Sequence, residues 1–415
     1  MILPRTEAGR MSKQHQVSLA ERAERLAVEA AGFAGVARAD IRLVRSPYRI
    51  CPLGAHVDHQ LGRVTGMALD RSVLLAYVPT DDSTVRLASR DFEGVTQFAL
   101  PDAAAMSRQG WGRYAAGAVL ALGEAGMPVR RGIAGLVEGN LPVGGLSSSA
   151  AVTIAYLLAL ERANDYLLEP QRNVRLEQWV ENVHIGLNNG ILDQSVILFG
   201  RRGRLLVLDC LDERWELVPA PQDGLAVGIV VAYSGLSAAL TSTGYNARVA
   251  ECEQAAAELL RLGGLPAVER PRLRNVPSEV YEVHVGDLPG LLARRARHFF
   301  AENDRVIEGR KLWAEGDLVR FGHLVSESGR SSIENYECGS PELITLYEVL
   351  SGVEAVYGAR FSGGGFRGSC IGLYRPGCEE GIRAAVEGAF PIAHPHVAGK
   401  YELHFCTSDD GAGLL

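Results

Sequence analysis

The chain has 415 residues, 47% of them hydrophobic, and carries 42 Lys and Arg against 49 Asp and Glu, a net charge of −7. That length implies two or three domains with a core that needs no covalent staples. Ordinary apolar content and low net charge exclude wholesale disorder, and the acidic balance disfavours general binding to nucleic acid or membrane surfaces. No apolar run approaches the roughly 20 residues needed to span a bilayer; the longest, Ala150 to Leu160, is far too short. The N-terminus lacks a basic start followed by an apolar stretch, so no secretory signal is expected. The seven cysteines (Cys51, Cys210, Cys252, Cys338, Cys370, Cys378 and Cys406) are odd in number, scattered and free of CxxC spacing. Reduced thiols, a cytoplasmic setting and no zinc site follow as expectations.

Residues 1–16 read as a polar leader. Helical spacing predicts a helix over 19–31. Alternation predicts strands over 41–50, 67–78 and 85–89. A helix over 111–122 and a strand over 132–138 follow. A glycine turn precedes a long apolar helix at 148–164; a second helix spans 174–187, and a strand 205–209. Residues 213–223, with Pro219 and Pro221, are the expected domain junction. Beyond it come a buried strand at 226–233, a helix at 246–262, and a loop over 263–278 with three prolines. Helices fill 279–334 and 343–350, a glycine turn separates two strands within 359–373, and a helix and a strand at 401–406 close the chain. Strands and helices mix without βαβ alternation, so two α+β layers are expected rather than a doubly wound parallel sheet. The expected domains are 17–212 and 213–415.

Four segments carry chemistry-bearing residues. In Asn140-Leu-Pro-Val-Gly-Gly-Leu-Ser-Ser-Ser-Ala-Ala151, a strand leads in and a helix leads out. Glycines let backbone approach an anion where free N–H groups meet the positive helix end; a glycine turn with serine caps reads equally well. In Arg45-Ser-Pro-Tyr-Arg-Ile-Cys-Pro-Leu-Gly-Ala-His-Val-Asp-His59, Arg49, His56, Asp58 and His59 crowd one exit loop. Three donors within four residues lack metal-ligand spacing, and mixed donors and acceptors suit sugar hydroxyls better. Asp193, in an apolar surround after Gly190, is a carboxylate that needs a partner or a task, with Glu181 upstream on a helix. Finally, Arg360-Phe-Ser-Gly-Gly-Gly-Phe-Arg-Gly368 places three glycines between strands, as a tight hairpin or a close backbone approach requires.

Together these segments resemble the GHMP small-molecule kinases, galactokinases in particular. Residues 45–58 resemble the sugar-signature segment, Pro142 to Ala151 the phosphate loop, Gly190-Ile-Leu-Asp-Gln194 the segment holding the catalytic aspartate, and Ser362 to Gly368 the glycine-rich third motif. Trp111-Gly-Arg-Tyr114 resembles the Trp-x-x-Tyr near the adenine pocket. Pro47 to His56, Ser331 to Gly339 and Phe361 to Gly368 are similar to the galacturonokinase branch. Position 55 is Ala where galactokinases carry Glu, position 59 is His where they usually carry Tyr, and the phosphate loop is one residue shorter between Pro142 and Leu146.

The resemblance implies an α+β two-domain GHMP kinase-like fold with its active site in the cleft between domains. It implies ATP-dependent phosphorylation of the anomeric hydroxyl of D-galacturonate, with a neutral-sugar kinase or an inactive sugar sensor as alternatives. Asp193 and Arg49 would be catalytic. Ala55, His56, Asp58, His59, Gly190, Tyr245, Arg248 and Arg367 would surround the sugar; Tyr245, Arg248, His59 and Arg367 are the candidate partners of a uronate carboxylate. ATP would meet Trp111, Tyr114, Pro142, Gly144, Gly145, Leu146, Ser147, Ser148, Ser149, Ala150, Gly363, Gly364 and Gly365. Ser148 or Ser149 with Glu181 would bind Mg²⁺. A glutamate at position 55 would oppose a C6 carboxylate by roughly 4 kcal/mol at about 4 Å and an effective dielectric near 20; Ala55 removes that clash.

Overall fold

The computed structural model describes residues 17–106, 110–142, 144–220, 227–237 and 243–415. The leader at 1–16, Val143 and Pro221 of the expected junction lie outside them. Helix α1 (Leu19–Ala34) starts at a capping box, with Ser18 Oγ accepting the Glu21 N–H and the Glu21 carboxylate accepting the Ser18 N–H. Then come β1 (Arg42–Ile50), β2 (Arg63–Pro79), β3 (Thr84–Ser89), β4 (Val95–Ala99), α2 (Arg113–Glu124), β5 (Ile133–Glu138), α3 (Ser148–Ala163), α4 (Pro170–Trp179), α5 (Leu192–Phe199), β6 (Arg204–Asp209) and β7 (Arg214–Pro219). The second half comprises β8 (Gly228–Tyr233), α6 (Tyr245–Leu262), α7 (Ser278–His284), α8 (Gly290–Glu315), α9 (Leu318–Glu334), α10 (Pro341–Ser351), β9 (Val356–Phe361), β10 (Ser369–Tyr374), α11 (Glu379–Ala393), β11 (Glu402–Cys406) and β12 (Gly413–Leu414).

Among the described residues, eight strands form one sheet in the order β12-β1-β2-β5-β3-β4, with β6 pairing the start of β2 and β7 pairing β6. Every pairing is antiparallel except β3 with β5. Alternation along β2 sends Leu74 and Ala76 to the face covered by α1, and Leu75 and Tyr77 to the main core that holds α3. The second sheet, β11-β8-β10-β9, is wholly antiparallel and is packed by α9 and α10. This is the expected mixed α+β class.

The structure departs from the sequence reading in three places. The expected junction at 213–223 is largely β7, whose Trp215 stacks on Phe199 at 4.7 Å between ring centroids. A boundary at residue 213 therefore falls inside a hairpin, and the chain leaves the first sheet only after Pro219. At the far end β12 returns to β1 of that same sheet. The helix expected over 174–187 is α4, begun earlier at Pro170, followed by a wider π-helical turn, Val180–Ile185, that ends at Gly186 with φ +83°. That turn carries Glu181 into the site, as π-turns often do.

Candidate active site

Two glycine loops meet backbone to backbone. Gly145 has φ +80°, and a Cβ there would stand 2.9 Å from Ser362 O and Ser369 N; a Cβ at Gly368 would stand 2.7 Å from Gly144 C. Only glycine permits this approach. It brings the start of α3 against the third motif. Ser147, also left-handed at φ +57°, is the residue before α3, yet its hydroxyl does not cap the helix. It donates instead to Asp193 Oδ2. The first-turn N–H groups and positive end of α3 are thus left for an anion in the cavity. That cavity, about 710 Å³, is lined here by Gly144, Gly145, Ser147, Ser148 and Ser149.

Asp193 sits in the first turn of α5, and Arg49 near the end of β1. Arg49 Nε donates to Asp193 Oδ1 at 2.7 Å. The guanidinium is 3% exposed and the carboxylate 21%, so one face of the pair opens to the cavity. Arg49 Nη1 also reaches Gly145 O at 3.4 Å, tying the pair to the anion cradle.

Beside it the charge is acidic. Glu181 is buried, accepts from Asn189 Nδ2, and is pushed up to about 7 by burial and then by the Asp193 charge, against the lowering effect of a Ser149 hydrogen bond. One turn earlier Glu177 is fully buried with neither carboxyl oxygen partnered, and burial followed by the charges of Glu181 and Asp193 holds it well above the usual range. Carboxylates and serine hydroxyls next to an anion cradle are the oxygen donors a hard divalent cation takes.

The loop after β1 forms the other wall. Ala55, His56 and Asp58 line the cavity. Burial and then the Asp193 charge raise the Asp58 carboxyl to about 6. His56 is kept neutral by burial, then by the charges of His298 and Arg360, and stacks on Tyr336 at 4.3 Å. This loop is held from outside. Glu302 of α8 accepts the Gly54 and Ala55 N–H groups at 2.9 and 2.8 Å, and His298 Nε2 lies 2.8 Å from Ala55 O. No local pattern pointed to Glu302 or His298, a carboxylate and an imidazole that read as ordinary residues of an amphipathic helix; Tyr336 lies just beyond α9, inside the Ser331–Gly339 segment singled out in the sequence, which gave it no role.

Trp111, Tyr114, Tyr245, Gly363, Gly364 and Arg367 also line the cavity. Several expected residues do not. Arg248 is committed elsewhere, donating to Tyr336 O at 2.9 Å and to Glu251 at 2.9 Å. His59 is buried between Tyr336 Oη at 3.1 Å and Gln60 at 3.0 Å, and burial, then the Arg272 charge, depresses it to about 3. Gly190 backs the wall, for a Cβ there would lie 2.5 Å from Asp58 C. Leu146 turns inward while its carbonyl accepts the Arg49 N–H, Ala150 is buried in α3, Gly365 packs on Cys338, and Pro142 stands off the wall. For the loop residues among them the reason is shared: part of a loop beside a site must face the core that supports it.

An anion cradle at a helix start, an acid with a buried arginine, and a polar wall opposite define a small-molecule kinase. The chain matches the GHMP kinases N terminal domain over residues 113–201 and the GHMP kinases C terminal family over 310–392. It is 43% identical to the galacturonokinase of Arabidopsis thaliana across 93% of this chain and 96% of that one. It is 32% identical to a Roseiflexus galactokinase across 90% and 93%. The Lactococcus lactis galactokinase solved with galactose superposes with a TM-score of 0.85 at 28% identity, covering 94% of this chain and 99% of that one. The chain belongs to the GHMP kinase family. It is an ATP-dependent phosphotransferase of the sugar-kinase type within it. No helix among the described residues is long and apolar enough to cross a membrane.

Proposed function

We propose that this enzyme transfers the γ-phosphoryl group of ATP to the anomeric hydroxyl of D-galacturonate. One observation carries the substrate: the buried Ala55 presents a methyl group to the cavity beside His56 and Asp58, at the position where the galactokinase resemblance puts a glutamate. The higher identity to a galacturonokinase than to a galactokinase supports the same reading. Asp193 accepts or orients the proton of the attacking hydroxyl, and Arg49 and Ser147 fix its two oxygens. The start of α3 with Gly144 and Gly145 cradles the phosphates; Trp111 and Tyr114 border the base. His56 and Asp58 bind sugar hydroxyls. Glu181, Ser148 and Ser149 fit Mg²⁺, since the Glu181 carboxylate is hydrogen-bonded to Ser149 at the start of α3 and all three line the cavity, a set of hard oxygen donors beside the phosphate cradle. The ion would offset phosphate charge. A cytoplasmic setting accords with seven free thiols, six of them buried.

The test is ATP consumption across a panel of hexoses and uronic acids, with product identified by phosphorus NMR. Galacturonate is expected to have the highest kcat/KM and to give the 1-phosphate. Preference for galactose would overturn the substrate assignment while leaving the kinase assignment standing.

A further inference from the structure

We propose that Arg367 binds the terminal phosphates of ATP and does not pair with the sugar carboxylate. The inference rests on the kinase reading alone and is independent of which sugar is used. Arg367 lines the cavity, is exposed, and has no hydrogen-bond or ion-pair partner among the described residues. The other cavity arginines are engaged: Arg49 by Asp193, Arg360 by Cys51 O at 3.0 Å, and Arg113 by Tyr114 Oη at 2.8 Å. No lysine lines the cavity, and the whole chain has only Lys13, Lys311 and Lys400. A triphosphate entering the cradle therefore meets one uncommitted side-chain cation among the described residues.

Position along its loop decides which anion that cation faces. Gly365 is the part turned to the sugar wall, since a Cβ there would lie 2.7 Å from Cys338 Sγ and 3.5 Å from His56 Cε1. Phe366 then crosses to pack near Gly244. Gly368 lies against Gly144 and Gly145, and Ser369 Oγ donates to Gly144 O at 3.0 Å. The backbone of Arg367 is thus anchored one residue from the glycine that meets the phosphate loop and two residues beyond the glycine that faces His56. A guanidinium presents a planar fork to phosphate oxygens, and an exposed one incurs little desolvation cost until the ligand arrives.

The experiment compares wild type with Arg367→Ala, Arg367→Gln and Arg367→Lys. Calorimetry with Mg²⁺ measures binding of a non-hydrolysable ATP analogue and of AMP. Steady-state kinetics measures KM for ATP and kcat/KM for galacturonate and galactose. Removing the arginine is expected to weaken the ATP analogue by about ten- to a hundredfold, the scale of a charged hydrogen bond, with AMP affinity and the ratio between the two sugars unchanged. Lysine should restore part of the loss. Unchanged affinity for the ATP analogue in the Ala and Gln variants would overturn the proposal. So would a defect confined to galacturonate, which would put the guanidinium on the sugar. Should galactose prove the better substrate, the calorimetric arm still decides the role of Arg367.

Discussion

Replacing Asp193 by asparagine preserves size and one acceptor for Arg49 Nε while deleting the base. General-base assistance contributes about 10²- to 10⁴-fold, so kcat is expected to drop within that range. Arg49→Ala perturbs the same unit from the other side. Arg49 orients the Asp193 carboxylate through its 2.7 Å bond, and losing that orientation is expected to cost kcat up to about 10³-fold, within the range of general-base assistance. Solvent reaches the 21% of Asp193 that is exposed, so a loss somewhat below that figure is expected. Because Asp193, Arg49 and Ser147 form one hydrogen-bonded unit, the double variant should lose little more than the worse single one. The assay is kcat with saturating ATP and sugar, together with thermal melting of each variant. Near-wild-type kcat in Asp193→Asn, or full additivity in the double variant with all melts intact, would refute this account of the pair.

Ala55→Glu should reduce kcat/KM for galacturonate more than for galactose, by a few kcal/mol at most, since solvent and side-chain movement soften the like-charge repulsion; an unmoved ratio means position 55 does not face C6. Glu181→Gln should raise the Mg²⁺ concentration for half-maximal activity while leaving KM for the sugar nearly constant, and an unchanged Mg²⁺ titration removes it from the ion site. Asp58, raised to about 6 from its ordinary 3.8, accepts from sugar hydroxyls more strongly as the carboxylate, so kcat/KM for the sugar should climb with pH about a midpoint near 6. The same raised value means the folded protein holds the proton more tightly than the unfolded chain, so stability from this group is present below about pH 4 and is lost as pH rises through about 6; Asp58→Asn should flatten that part of the melting-temperature profile, and an identical profile in the variant would assign the titration elsewhere.

The chemistry-bearing segments were readable in the sequence because their signals are local. Gly144, Gly145 and the Ser147–Ser149 run announce a backbone turn into a helix, and Gly363–Gly365 announce a close approach. Hydrophobic period placed α1, α3 and β1 with small errors at their ends. Partnership was not readable in that way. Arg49 and Asp193 are 144 residues apart, and Ala55 and Glu302 are 247 apart; no short-range pattern specifies either pair. Nor could spacing show that Ser147 would leave its helix uncapped to reach Asp193, or that Arg248 and His59 would be turned away by Glu251 and Tyr336. The strand β7 was hidden under a junction signal that belonged only to its final proline, because a strand's fate depends on the partner edge offered by β6. Local sequence determines which backbone shapes and functional groups are present; which groups meet is decided when the two sheets and α8 pack, since burial forces each polar group to find its partner across the fold.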